Sequence, residues 1–267
     1  MSHMSIPLQQ SLTDVEKACA LWTPFRQQRK QAALRLLCFP HAGGSALTYR
    51  GWSERLPGFV EVCPLQLPGR GTRLQEPPFT SVDTMLGALL PVLAPLLDRP
   101  LALFGHSMGA ALAFATAQAL EQRGVRVLRL FASGRRPPLL QSLSALHRKN
   151  DAELTQYLRE LGGTPELVFE DAELRELVFR PLRADLEMND HCVARHKLRT
   201  VPISALGGLA DPHVPVPSLH DWATLTQVGF DATLFNGGHF FLQPQEAEVT
   251  RHIALQLAVD LEEQRVR

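Results

Sequence analysis

The chain has 267 residues, of which 45% are hydrophobic, so it is long and apolar enough to build the core of one large domain over residues 1–267. Its 27 basic residues balance its 27 acidic ones, which argues against a general phosphate-binding surface and excludes nucleic acid as an expected partner. The longest apolar run, residues 85–97, is shorter than the roughly 20 residues that a membrane span needs, so we expect no membrane association.

The N-terminal segment lacks a basic stretch followed by a continuous apolar core, which is the pattern of a secretory signal. We therefore expect a cytoplasmic protein, with an N-terminal extension over residues 1–30. The four cysteines are scattered without a C-x-x-C pair, which predicts reduced thiols and no disulfide. The ten histidines are also dispersed, and His191 and His196 would lie on different faces of a helix, so we expect no metal site.

Short apolar runs bounded by turn residues predict six β-strands, over residues 34–39, 60–67, 101–105, 127–133, 201–208 and 230–238. Helical periodicity is found over residues 48–55, 81–97, 108–122, 217–228 and from 245 to the C-terminus. Because strands and helices alternate, we expect an α/β fold with a mostly parallel central sheet flanked by helices.

Residues 141–197 interrupt this alternation because they contain no convincing strand. They contain at least two predicted helices, the first beginning with a capping pair, Asn150 and Glu153, and the second lying within residues 170–188. Each helix has one apolar stripe, formed by Leu154, Tyr157, Leu158 and Leu161 on the first and by Leu174, Leu177 and Val178 on the second. We interpret the segment as a helical lid insertion. The alternative is an ordinary pair of packing helices.

The sequence "GHSMG" places Ser107 in a G-x-S-x-G motif, directly after a predicted strand and directly before a predicted helix. A sharp turn from strand to helix strains the backbone at the serine, and Gly105 and Gly109 allow the neighbouring segments to approach closely. The Ser107 hydroxyl is then presented at the carboxyl edge of the sheet, with the N–H of Met108 facing the same space. This context predicts a nucleophile and a first oxyanion donor.

Asp211 and His239 each follow a predicted strand, in "LGGLADPHVP" and "NGGHFFL". Ser107, Asp211 and His239 therefore occur in the chain order typical of α/β-hydrolases, and we predict that they form a catalytic triad. A structural role for His239 is the alternative. Other titratable side chains are expected outside the triad: His106 in packing, His213 and His220 in loops and at the surface, and Asp185 and Asp190 in solvated or capping positions.

A second oxyanion donor is expected in the loop after the first strand, which reads "CFPHAGGSALTYRGW". Pro40, Gly43 and Gly44 make a turn that exposes the backbone, so we predict that the N–H of Ala42 faces Ser107. A simple strand-to-helix turn is the alternative.

Six stretches between residues 36 and 242 together resemble one family, the external or type II thioesterases that accompany nonribosomal peptide and polyketide synthases. They are "LLCFPHAGGSALTYRGW", "LQLPGRGTRLQEPPFTS", "LFGHSMGAALAFATAQALE", "LRADLEM", "LGGLADPHV" and "GGHFFL". The resemblance implies an α/β-hydrolase fold with a helical lid, Ser107, Asp211 and His239 as triad, and Ala42 and Met108 as oxyanion donors. It also implies hydrolysis, through an acyl-enzyme, of acyl or aminoacyl thioesters that stall a synthase.

The partners implied by this resemblance are acyl or peptidyl carrier protein domains, whose phosphopantetheine arms hold the substrate, and small acyl thioesters. The resemblance implies no cofactor, and we expect a monomer. Because carrier domains are usually acidic, we expect docking at a basic rim that contains Arg70, Arg73, Arg135 and Arg136, with solvated surface charge as the alternative.

Two other functions stay open, because a triad does not choose its leaving group. The first is a carboxylesterase, lipase or peptidase on the same fold, acting on small apolar substrates. The second is a binding protein that keeps the hydrolase fold without turnover, although a complete triad and both glycine-rich loops argue against it.

Overall fold

A six-stranded sheet forms the centre of the computed structural model, which describes residues 8–140 and 144–266. The strands are β1 (Leu34–Phe39), β2 (Val60–Pro64), β3 (Leu101–His106), β4 (Val127–Ser133), β5 (Ile203–Gly208) and β6 (Phe230–Phe235). Their order is β2-β1-β3-β4-β5-β6, and every neighbouring pair is parallel. The predicted α/β fold is confirmed, with all rather than most of the sheet parallel.

Three strands are shorter than predicted. β5 begins at Ile203 rather than at residue 201, and the other two are shorter because their carboxyl ends turn away from the sheet. β2 stops at Pro64 rather than at residue 67, since the N–H of Gln66 donates to the carbonyl oxygen of Trp22 at 2.8 Å. β6 stops at Phe235 rather than at residue 238, since Gly237 has a φ of 125°, which no strand residue adopts.

Helices cover both faces of the sheet. In the described part of the chain they are α1 (Leu8–Trp22), α2 (Trp52–Arg55), α3 (Val82–Val92), α4 (Met108–Gln122), α5 (Asp151–Leu161), α6 (Leu167–Glu170), α7 (Ala172–Asp190), α8 (Val216–His220) and α9 (Glu246–Val266).

The sequence pattern predicted α4 with its bounds and missed α1. It also predicted a single helix where the structure has α3 and a following 3-10 turn (Ala94–Leu96). Pro95 has no N–H to donate, which disfavours a longer α-helix at this position. The helix predicted over 48–55 is a 3-10 turn (Ala46–Tyr49) followed by α2, and that over 217–228 is α8 followed by a 3-10 turn (Asp221–Leu225).

Successive side chains of a strand point to opposite faces of the sheet and pack in two separate hydrophobic cores. Leu37 and Leu103 belong to the core beneath α1, α3 and α4, whereas Leu36 and Phe104 belong to the core beneath α2 and α9. A sheet that is buried on both faces needs apolar residues at successive positions, which explains why its central strands have continuous apolar sequences.

Between β4 and β5, the described residues 144–202 contain α5, α6 and α7. The predicted capping box of α5 is confirmed: the Asn150 side chain accepts from the N–H of Glu153 at 3.0 Å, and the Glu153 carboxylate accepts from the N–H of Asn150 at 3.2 Å. These helices have their own hydrophobic cluster, which consists of Leu154, Leu158, Phe169, Phe179, Leu182 and Leu186. The part of the predicted insertion at residues 141–143 lies outside the described residues.

The apolar stripe predicted for α7 is wrong at Leu177, whose side chain is 48% exposed. The residues of α7 that are buried in the cluster of these helices are Phe179, Leu182 and Leu186, which are three and four residues apart and therefore share one face of the helix. The buried stripe of α7 thus lies farther along the helix than the sequence pattern indicated.

All four cysteines are buried and free of disulfides: Cys19, Cys38, Cys63 and Cys192. Burial raises the pKa of the Cys63 thiol to about 12, so that the unreactive thiol form dominates near neutral pH. Among the described residues, no helix combines the length and the hydropathy that crossing a membrane requires.

Candidate active site

Ser107 lies in a strained turn between β3 and α4. Its φ is 55° and its ψ is −120°, an unusual conformation for a residue with a side chain. A Cβ atom at Gly105 would lie 2.0 Å from the carbonyl oxygen of Gly109, and one at Gly109 would lie 2.2 Å from that of Phe39. Any larger residue at either position would therefore force the strands and α4 apart. The two glycines are required by the same close packing that presents Ser107.

The structure brings the three predicted triad residues together. The Nε2 atom of His239 lies 3.1 Å from Oγ of Ser107, and its Nδ1 atom lies 2.8 Å from Oδ2 of Asp211. The other carboxylate oxygen of Asp211 accepts from the N–H of His213 at 2.9 Å. Each side chain follows a parallel strand, β3, β5 or β6, so the three meet at the carboxyl edge of the sheet.

The environment of Asp211 favours its charged form. Burial by itself raises the pKa of this carboxyl, but the hydrogen bond and the charge of His239 more than offset the burial and leave the pKa below its ordinary value of 3.8. Asp211 is thus a carboxylate near neutral pH, as a group that orients an imidazole must be.

Two further histidines, His106 and His41, lie in the same group of rings as the His239 imidazole. The ring of His106 lies 5.2 Å from that of His239, and its Nδ1 atom is hydrogen-bonded to Oγ of Ser133 at 2.9 Å, in agreement with the predicted packing role. Burial, followed by repulsion from His239 and His41, holds the pKa of His106 well below 6.5. Burial, followed by the charges of His239 and Arg70, lowers the pKa of His41 to about 4. Both imidazoles are neutral near pH 7.

A cavity of about 350 Å³ opens beside Ser107. Ala42, Gly43 and Met108 line it next to the serine. Met108 is the first residue of α4, so its N–H has no partner within the helix. Apolar side chains of α5 and α7 line much of the rest: Leu158, Leu161, Val178, Leu182 and Leu186. The described side chains around the cavity include no Asp, Glu, Lys or Arg.

The expectation of solvated or capping roles for Asp185 and Asp190 is wrong. Asp185 is fully buried and forms an ion pair with Arg70. Asp190 is 3% exposed, accepts from the hydroxyl of Ser144 at 2.8 Å and pairs with His147. The only signal in the sequence was the stretch "LRADLEM", in which an acidic residue occurs among the apolar positions of a helix.

The prediction of a basic rim is also wrong for three of its four arginines, because their side chains are engaged within the fold. Arg70 is buried against Asp185, and Arg73 is 8% exposed, lying over the ring of Trp22 and paired with Glu76. Arg135 is half-buried and donates to the side chain of Asn189. Arg136 remains as an exposed arginine of this group.

The remaining predictions concern His213, His220 and a metal site. His213 and His220 are exposed, as expected for loop and surface residues. His191 directly follows the last residue of α7, and His196 lies in the loop beyond it. Within the described ranges, no group of three or more His, Cys, Asp or Glu side chains is arranged to hold a metal ion.

Known proteins match this chain over most of its length. The thioesterase domain family matches residues 34–257. Thioesterase PikA5 of Streptomyces venezuelae is 38% identical over 90% of this chain and 86% of its own length.

Two solved thioesterases match the fold as well. The structure of RedJ, a thioesterase from the prodiginine biosynthetic pathway of Streptomyces coelicolor, has a TM-score of 0.80 and 36% identity, covering 86% of this chain and 92% of its own. YbtT, a type II thioesterase from the yersiniabactin NRPS/PKS biosynthetic pathway, has a TM-score of 0.78 and 28% identity, covering 88% of this chain and 97% of its own. With its parallel α/β-hydrolase sheet, this chain belongs to the thioesterase family, among the type II thioesterases of nonribosomal peptide and polyketide pathways.

Proposed function

We propose that this protein removes acyl and aminoacyl groups from the phosphopantetheine arms of carrier proteins, by hydrolysing the thioester that holds them. The observation that carries the proposal is the hydrogen-bonded series from Ser107 through His239 to Asp211, with 3.1 Å and 2.8 Å between its members. This series opens on a cavity of about 350 Å³ with a largely apolar lining, which suits an acyl chain.

In the proposed acylation step, His239 takes the proton of Ser107 as Oγ attacks the thioester carbonyl carbon. Asp211 holds the imidazole in orientation and stabilises its charged form. The N–H groups of Ala42 and Met108 donate to the oxygen of the tetrahedral intermediate. When that intermediate collapses, the carbon–sulfur bond breaks, His239 returns the proton to the leaving sulfur, and the acyl group stays on Ser107.

In the proposed deacylation step, a water molecule takes the place of the departed thiol. His239 removes a proton from it while the water oxygen attacks the ester carbonyl carbon, and the same two N–H groups stabilise the second tetrahedral intermediate. Collapse breaks the bond to Oγ of Ser107, to which His239 returns the proton. The products are a free carboxylic acid and the unmodified enzyme.

The helices between β4 and β5 support a proposed role as a lid. α5 and α7 line the cavity with one face, and their hydrophobic cluster is separate from the two cores of the sheet. A segment that packs mainly on itself can change position without disrupting the sheet. Opening of this lid would admit the long, thin phosphopantetheine arm.

We propose further that the protein acts as a single-domain monomer in the cytoplasm. Four buried, reduced cysteines are compatible with a reducing compartment. A monomer leaves the rim of the cavity free for a carrier domain.

The experiment that tests the proposed function is mass spectrometry of an acylated carrier protein after incubation with the enzyme. We expect the acyl mass to disappear with the wild-type protein and to persist with Ser107→Ala, since the nucleophile is lost. Ser81→Ala, which removes a hydroxyl at the start of α3, is the matched control and should be as active as the wild type.

Two results would contradict the proposal. The first is equal turnover of the carrier by Ser107→Ala and the wild type. The second is faster hydrolysis of a matched oxygen ester than of the thioester, which would point to a carboxylesterase.

A further inference from the structure

The loop that carries Ala42 is attached to the lid helix α7. The N–H of Gly43 donates to Oδ2 of Asp185 at 2.8 Å. Gly43 has a φ of 73°, and a Cβ atom there would lie 3.3 Å from the side chain of Leu182. Leu182 and Asp185 are three residues apart and therefore share one face of α7. The loop thus contacts α7 through both an apolar side chain and a carboxylate.

Arg70 completes this connection from the other side. Its guanidinium donates to both oxygens of Asp185, with 2.7 Å between Nη2 and Oδ1, and to the carbonyl oxygen of Gly44 at 3.2 Å. Asp185 is fully buried and Arg70 is 5% exposed, so little water competes for these bonds. Arg70 therefore holds both the carboxylate and the loop that the carboxylate binds.

These contacts fix the direction of the Ala42 N–H. The carbonyl oxygen of His41 accepts from the N–H of Gly44 at 2.9 Å. Because a trans peptide unit is planar, the Ala42 N–H points opposite to that carbonyl group and so away from the turn. On the far side of Ala42, the next N–H is bound to Asp185. Both peptide units that flank Ala42 are thereby held.

We infer that Asp185, held by Arg70, is a positioning residue for thioester hydrolysis: it keeps the Ala42 N–H aimed at the oxyanion. The inference rests on the proposed function, because the oxyanion forms only if Ser107 attacks a carbonyl group. It also couples the lid to the chemistry, because the carboxylate that orients the loop belongs to α7.

A purely structural ion pair is the competing explanation, and the stability of a variant with one substitution does not separate the two. Removal of one partner leaves the other charge buried and unpaired, which destabilises a fold whatever the role of the pair. Replacement of both partners by apolar residues avoids this cost. The double variant Arg70→Met with Asp185→Leu therefore removes the bond to Gly43 without leaving a buried charge.

The matched control is the ion pair of Arg129 and Asp260, which joins β4 to α9 with distances of 2.7 Å and 2.8 Å. Arg129 lies near the start of β4, whereas the site lies beyond the strand's carboxyl end. The control double variant is Arg129→Met with Asp260→Leu. Arg129 also pairs with Asp231 at 2.9 Å, but the Asp231 side chain is 36% exposed, so its charge still contacts water in this variant.

The experiment measures thermal unfolding, kcat and KM on a small acyl thioester, and inhibition by an alkylboronic acid, which forms a tetrahedral adduct with an active serine. We expect the Arg70/Asp185 double variant to lose about 10- to 100-fold in kcat, with KM changed less than about twofold, because the donor acts on the transition state. The boronic acid should bind more weakly by a similar factor. The control double variant should keep its kcat and its boronic acid affinity.

A kcat within about twofold of wild type in the folded Arg70/Asp185 double variant would overturn the inference. So would equal kcat losses in the two double variants.

If the Arg70/Asp185 double variant does not fold, the kcat values of the single variants Asp185→Asn and Asp260→Asn are compared instead. The Asn amide has one acceptor oxygen for the donors of both Arg70 and Gly43, so we expect about a tenfold loss in kcat for Asp185→Asn alone, and an unchanged kcat overturns the inference. A wild-type protein that hydrolyses no thioester contradicts the proposed function instead.

Discussion

His41 and His106 show how burial sets the charge of individual residues around the candidate site. Both imidazoles lie within the group of rings that includes His239 and Phe240, at centroid distances of 5.0 to 6.3 Å. Burial lowers the pKa of each, to about 4 for His41. A neutral ring beside the cavity lets an apolar acyl group approach without displacing a charge from water.

These lowered pKa values predict how stability depends on pH. Between pH 6.5 and about 4, the unfolded chain binds protons at His41 that the folded chain does not, so the free energy of unfolding falls as the pH falls through this range. His41→Asn should reduce the slope by at most about 1.4 kcal/mol per pH unit, the share of one proton. Urea unfolding at a series of pH values measures this.

His220→Asn is the control for this prediction, because His220 is exposed. It should leave the slope as it is in the wild type. Asp211 does not interfere, since a lowered pKa contributes stability that is present above the ordinary value of 3.8 and is lost only at lower pH. Equal slopes for His41→Asn and the wild type would contradict the prediction.

At the scale of elements, the rotation of α7 about its axis decides which of its side chains meet the cavity. Leu177 and Val178 are neighbours in sequence, yet Leu177 is 48% exposed whereas Val178 lines the cavity. Successive residues of a helix are about 100° apart around its axis, so adjacent apolar residues do not share an environment. The exposed neighbour thus provides a natural control for the cavity residue.

Val178→Phe should narrow the cavity and shift the proposed activity toward short acyl groups. We expect kcat/KM for a long-chain acyl thioester to fall about tenfold relative to an acetyl thioester, because a few methylenes are excluded from an apolar pocket. Leu177→Phe should leave this ratio within about twofold, since it adds a ring at the surface. Measuring kcat/KM on thioesters with a series of acyl chain lengths tests this. An equal shift of the ratio in both variants would contradict the prediction.

At the scale of the whole molecule, the distribution of arginines limits where an acidic carrier domain can dock. Arg70 and Arg73 are engaged within the fold, so their charges are not available to a partner. Arg136 follows β4 at the carboxyl edge of the sheet and is exposed, whereas Arg126 is exposed just before the same strand begins. Substitutions of these two arginines therefore test carrier docking at opposite ends of β4.

Arg136→Glu should raise the apparent KM for an acylated carrier protein about threefold to tenfold, because a rim charge acts on the encounter of the partners. The KM for a small acyl thioester should not change. Arg126→Glu, the control, should affect neither substrate, and the effect at Arg136 should shrink as added salt screens the charges. A parallel rise in KM for both substrates would place docking elsewhere.

The sequence by itself determined the features that depend on local rules. The close packing around "GHSMG" tolerates only glycine at residues 105 and 109, so these five residues were enough to predict the turn from strand to helix. The six strands were readable from their composition, and the order of Ser107, Asp211 and His239 followed from the strands that precede them. Parallel strands place such residues at one edge, where the structure brings these three within hydrogen-bond distance.

Only the tertiary structure decided the partners of the charged residues and the rotation of α7. Arg70 and Asp185 are separated by 115 positions in the chain, and nothing in the residues near either one indicates that they pair. Burial of a charge depends on which surfaces pack together, whereas the strand and turn signals arise from neighbouring residues. For the same reason, Leu177 and Val178 look equivalent in sequence and differ only once α7 packs against α4 and the neighbouring helix α6.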